Sequence, residues 1–111
     1  SLFRSGLSQF VFPFKLVYHV EKAIPPGDES IQFAVSIPKR KIKSAVKRNI
    51  LKRRTREAYR QNRNFLNKGI DIGNHKVYLM FIYVDSEIKK YDIIEKSIIK
   101  HLKKLNEKLG S

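Results

Sequence analysis

Half of the basic residues of this chain fall in one stretch. Between Lys39 and Arg63 stand twelve of its 24 Lys and Arg residues, against a single carboxylate, Glu57. A segment that repels itself this strongly can fold only as an exposed element with a narrow inward side. Within it, AVKRNILKRRTREAYR (Ala45 to Arg60) contains no Gly or Pro, so nothing forbids a helix. At about 100° per residue, Leu51, Thr55 and Ala58 stack on one face, with Phe65 falling close to it. Asn49, Lys52, Arg53, Arg56, Arg60 and Arg63 gather on an opposing arc. Ser44 is placed to cap the first turn. The small residues of the inner face suit close packing against a sheet.

The surrounding chain supplies that sheet. In FPFKLVYHV (Phe12–Val20) the residues alternate, with Phe14, Leu16, Tyr18 and Val20 on one face and Lys15, Val17 and His19 on the other. This is a strand pattern, and Pro13 near its start costs little there. EKAIPPGDES reads as a turn or loop. IQFAVSI is a second strand, with Phe33, Val35 and Ile37 on one face, ending at Pro38. NKGIDIGNH breaks the chain after the basic helix. KVYLMFIYV (Lys76–Val84) is apolar nearly throughout, the signature of a central strand buried on both faces. Asp85 or Ser86 is placed to cap a last helix, in which Tyr91, Ile94, Ile98, Leu102 and Leu105 form a packing stripe. The order strand, strand, helix, strand, helix predicts a small two-layer α+β sandwich.

At 111 residues the chain makes one domain with one core. It begins with Ser, and its first residues read like the end of an element. The expectation is therefore a single domain, 1–111, lacking an N-terminal segment. A net charge of +14 favours polyanionic partners. Outside the basic stretch the two signs nearly balance, so the partner surface is local. There is no cysteine, which excludes disulfides and thiolate metal sites and suits a reducing cytoplasm. No apolar run approaches the roughly 20 residues of a membrane span, and the basic helix offers lipid no face of large apolar residues.

The cationic arc suits phosphate, because Arg forks bind its oxygens bidentately and give affinity without sequence readout. Structured RNA fits better than major-groove reading of DNA, since the chain lacks the all-helical layout of the helix-in-groove modules. The aromatic strand has two readings, a stacking surface for unpaired nucleotides or plain core, and the strand alone favours core. His19, His75 and His101 show no ligand spacing, and the acids show no metal pattern. Each histidine reads as satisfied or exposed. No catalytic constellation emerges, so a self-sufficient nuclease is not supported.

The basic run also resembles the signature of the bacterial ribonuclease P protein component: Arg48-Asn49, Lys52-Arg53, then Arg56-Glu57-Ala58-Tyr59-Arg60. FAVSIPKRKIKSAV is similar to the strand and basic turn entering that helix, LFRSG to the end of the family's first helix, and FKLVY to its next strand. Ile50 stands where the family is often basic, and Arg54 where it is often apolar. The resemblance implies a ribosomal protein S5 domain 2-like fold, a mixed sheet whose central basic helix makes a left-handed βαβ crossover, followed by a C-terminal helix. It implies the non-catalytic protein subunit of a ribonucleoprotein endoribonuclease that matures the 5′ end of transfer RNA. The RNA, with Mg²⁺, would carry out hydrolysis, and the protein itself would bind no cofactor and need no other protein.

By the same resemblance Arg48, Asn49, Lys52, Arg53, Arg56 and Arg60 would contact the ribonuclease P RNA or hold the crossover that presents it. Lys39, Arg40, Lys41 and Lys43 would extend that surface. Phe3, Phe14 and Tyr18 would line the cleft for the 5′ leader of precursor transfer RNA. The location implied is cytoplasmic. The alternative is another small RNA-binding or ribosomal protein of this fold with no processing role.

Overall fold

The computed structural model describes residues 7–22, 31–67 and 75–110. Four strands make one mixed sheet in the order β1-β2-β4-β3: β1 (Leu7–Val11), β2 (Phe14–Lys22), β3 (Ile31–Ser36) and β4 (His75–Tyr83). β1 and β2 form an antiparallel hairpin, β2 pairs antiparallel with β4, and β3 lies parallel to β4. The basic helix α1 (Ala45–Asn62) and a four-residue turn of helix, α2 (Asn64–Asn67), lie in the crossover from β3 to β4. The last helix, α3 (Tyr91–Gly110), packs beside α1. This is the mixed-sheet, two-layer α+β sandwich expected, with the basic helix in the crossover.

Both helices cover one sheet face. The alternating residues Phe14, Leu16 and Tyr18 of β2 and Val77, Leu79, Phe81 and Tyr83 of β4 are buried there. They meet Leu51, Thr55 and Ala58 of α1 and Ile94, Ile98, Leu102 and Leu105 of α3. The α1 stripe is the one its periodicity predicts. Tyr59 lies flat on Phe33, rings 4.2 Å apart and 8° from parallel, which seats α1 over β3. Ser44 caps α1, its hydroxyl accepting from the Lys47 amide at 3.3 Å.

Three expectations are corrected. First, LSQFV is a strand and Phe12-Pro13, joined by a cis peptide bond, is the turn into β2. The strand that the pattern starts at Phe12 therefore begins at Phe14. Second, β4 is central but is covered on one face only. Tyr78 and Ile82 are half-buried and Met80 is 42% exposed, because among the described residues both long helices pack on the same side of the sheet. Third, α3 starts at Tyr91, so neither Asp85 nor Ser86 caps it. Asp85 instead accepts from the Ser86 amide and pairs with Lys89.

The intervening segment is held by side chains. Tyr83 donates its hydroxyl to the Glu87 carbonyl and accepts from the Lys89 amide. Arg54 donates to the Lys89 carbonyl at 2.8 Å. The loops read around Pro25 and Gly69 and the LFRSG segment lie outside the described residues.

Candidate nucleic-acid interface

Along α1, Asn49, Arg53, Arg56 and Arg60 line one shallow groove with Val46 and Ile50. Helical spacing of three and four residues brings them together, and the buried stripe Leu51–Thr55–Ala58 holds that row toward solvent. Arg60 is partly spent: it grips Glu57 through both carboxylate oxygens, at 3.1 and 2.6 Å. That guanidinium holds the Glu57 carboxyl below its ordinary range. Arg53 and Arg56 make no ion pair among the described residues. Both are exposed. A phosphate arriving there meets the Arg53 and Arg56 guanidinium donors, while Glu57 in the same groove is held by Arg60.

The other basic candidates divide. Arg48 donates to the carbonyls of Ile42 and Lys43, both at 2.9 Å, so it ties the basic turn to the helix start. The turn is closed by the Lys41 and Ile42 amides on the Pro38 carbonyl, and Lys39 and Arg40 project from it. Lys41 and Lys43 join Lys47 in a separate cationic hollow facing Glu87. Lys52 is half-buried on the flank of α1 and lies outside the groove.

The aromatic cleft residues fall elsewhere. Phe14 is fully buried between Phe81 and Tyr83. Tyr18 is 6% exposed on the same helix-covered face, and burial raises its phenol pKa. Strand alternation puts their rings in the core, so neither can offer an open stacking surface. Phe3 lies outside the described residues.

The bare face belongs to the other parity of the same strands. Strand register sets Met80 between Val17 and Ala34, and Tyr78 between His19 and Gln32. These residues line a hollow on the open face. His19 and Tyr78 stack with ring centres 4.3 Å apart, and the Lys76 amine sits 5.5 Å from the Tyr78 ring centre. On the edge hairpin Phe10 is 56% exposed and pairs with Lys15. Aromatic and apolar surface ringed by amines, with backbone already paired, suits unpaired bases with their phosphates. The apolar run of β4 gave no sign of this exposed face in the sequence, because residues of both parities read alike as buried.

A sheet with one face left exposed among the described residues, backed by a helix whose Arg53 and Arg56 make no ion pair among them, is an α+β sandwich with the surface chemistry to meet a polyanion. Comparison with known proteins narrows that class. The family model for ribonuclease P matches residues 1–109. Ribonuclease P protein components from two strains of Porphyromonas gingivalis, ATCC 33277 and W83, are each 30% identical over 102 residues, covering 92% of this chain and 73% of theirs. The solved Staphylococcus aureus RNase P protein shares the fold with a TM-score of 0.56 at 17% identity, over 96% of this chain and 84% of that one. The chain belongs to the ribonuclease P protein family, whose work is the 5′ processing of transfer RNA.

Among the described residues no group of three or more His, Cys, Asp or Glu side chains could hold a metal ion. No helix among them is long and apolar enough to cross a membrane.

Proposed function

We propose that this chain works as the non-catalytic protein subunit of ribonuclease P, binding the ribonuclease P RNA through α1 and the 5′ leader of precursor transfer RNA on the open sheet face. The observation that carries this reading is the division of the two surfaces between layers. The Asn49–Arg53–Arg56–Arg60 groove lies on the helical layer, and the His19–Tyr78 platform lies on the opposite side of the sheet. One molecule can then hold structured RNA on one side and unpaired nucleotides on the other. Hydrolysis belongs to the RNA and its Mg²⁺. The protein lowers the Mg²⁺ demand by adding fixed positive charge and captures the leader by stacking. It acts in the cytoplasm and needs no further protein.

A cleavage assay at low Mg²⁺ tests this, using a bacterial ribonuclease P RNA and precursor transfer RNAs with long and short leaders. The protein should stimulate cleavage, and the stimulation should shrink when the leader is shortened. Tyr78→Ala should remove the leader-dependent part, by roughly five- to tenfold for one lost stacking contact. Arg53→Gln with Arg56→Gln should weaken binding to the RNA whatever the leader. Stimulation that ignores both leader length and Tyr78 would overturn the leader assignment.

A further inference from the structure

A third surface lies away from both of these. The back of α3 and the turn of the β1–β2 hairpin enclose a shallow groove of about 460 Å³. Its apolar part is Phe12 and Ile93, 51% and 43% exposed. Its rim is Lys96, Lys100 and Lys103, all exposed on the solvent side of α3 at spacings of four and three. Among the described residues no carboxylate lines it. The nearest acids on α3 are engaged or outside it: Glu95 accepts from Asn62 on the α1 side, and Asp92 and Glu107 lie beyond the groove.

The groove is also built. Ser97 donates to the Val11 carbonyl at 2.7 Å, fixing α3 against the hairpin. Lys89, itself paired with Asp85, places its amine 5.6 Å from the Phe12 ring centre. Lys103 sits 5.0 Å from the ring centre of Phe65. Because α1 lies over β3 while α3 lies over β1 and β2, this groove and the α1 arc occupy different flanks of the helical layer.

We propose that this groove is an additional RNA contact, taking a short unpaired segment whose base stacks on Phe12 and whose phosphates meet Lys96, Lys100 and Lys103. Charge complementarity selects the occupant. A half-exposed aromatic ring beside lysine amines, with no carboxylate among the described lining residues, fits a stacked base and its phosphates. A protein partner would be drawn there chiefly by acidic side chains. The inference rests on the reading of this chain as an RNA-binding subunit, and it adds a contact that neither the basic helix nor the sheet face supplies.

The test uses the whole chain and a transcribed bacterial ribonuclease P RNA, with affinity measured across a salt series. Three variants are compared with the unaltered protein: Lys96→Gln with Lys100→Gln, Phe12→Ala, and Arg53→Gln with Arg56→Gln. The α3 pair touches no packing, so folding is not at risk, and circular dichroism confirms it. Loss of two phosphate contacts should weaken binding roughly tenfold at moderate salt and reduce the slope of log affinity against log salt by about 1.5. Phe12→Ala should weaken binding at least about fivefold with the slope unchanged. If the α3 pair keeps both affinity and slope while the α1 pair loses them, this groove is not an RNA contact and the subunit reading stands. If the unaltered protein fails to bind the RNA, both fall together.

Discussion

His101 ties the last helix to the first hairpin from within the core. It is fully buried on α3, and its ring is held at both nitrogens. Nε2 lies 2.9 Å from the Phe14 carbonyl, and Nδ1 lies 2.9 Å from the Gln9 amide nitrogen, which also donates to the His101 carbonyl. Lys108 completes the set by donating to Gln9 Oε1. This pattern needs a neutral ring with the proton on Nε2, the nitrogen that can donate to a carbonyl. Burial accordingly lowers the His101 pKa to about 4. Since the unfolded chain titrates near the ordinary value of about 6.5, it binds more protons than the folded one between those two values. The stability carried by the neutral ring is therefore whole above about pH 6.5 and lost progressively as pH falls toward 4, by about 3 kcal/mol in total. Urea unfolding at pH 7.5, 5.5 and 4.5 should show that decline. His101→Leu should flatten it, while costing roughly 1–3 kcal/mol at neutral pH by stranding Gln9 and the Phe14 carbonyl. The sequence reads His101, like the other two histidines, as either satisfied or exposed. It does not show its partners, because Gln9 and Phe14 come from the far end of the chain.

At the scale of elements, periodicity carried the helices well and the sheet only in part. Leu51, Thr55 and Ala58 face inward as a 3.6-residue repeat requires, and the α3 stripe from Ile94 to Leu105 is buried in full. Ala58 lies flush against the core, so Ala58→Leu should destabilise the protein by about 1–3 kcal/mol through overpacking, read as a lower midpoint in urea. Ser44→Ala should cost about 1 kcal/mol by removing the cap. Strands were harder. The two parities of β2 are legible in FKLVYHV, but which parity is covered depends on where the helices lie. That is how Phe14 and Tyr18 came to be core, while Val17 and His19 line the open face. The apolar run of β4 concealed the same choice, because Tyr78, Met80 and Ile82 resemble buried residues in sequence. The departure at Arg54 also resolves at this scale. A longer cationic side chain reaches the Lys89 carbonyl and holds the segment between β4 and α3. Arg54→Leu should therefore loosen residues 85–90, read as faster amide exchange there, while leaving the Arg53–Arg56 groove in place.

For the molecule as a whole, the distribution of charge matters more than its total. Arg60 is partly spent on Glu57, Arg48 is held by backbone carbonyls, and Lys89 pairs with Asp85. Among the described residues, the exposed cations outside these pairs lie mainly on α1, the turn before it, the back of α3 and, at Lys15, the open sheet face. The network around Gln9 has a consequence for how such a protein is made. Residues 92 and 99 positions apart close on one another across Gln9, His101 and Lys108. During synthesis on the ribosome, the basic helix emerges while β1 still waits for the helix that locks it, since contacts this distant in sequence form late. The newborn chain thus displays its phosphate-seeking arc in the midst of RNA before its own interior is sealed.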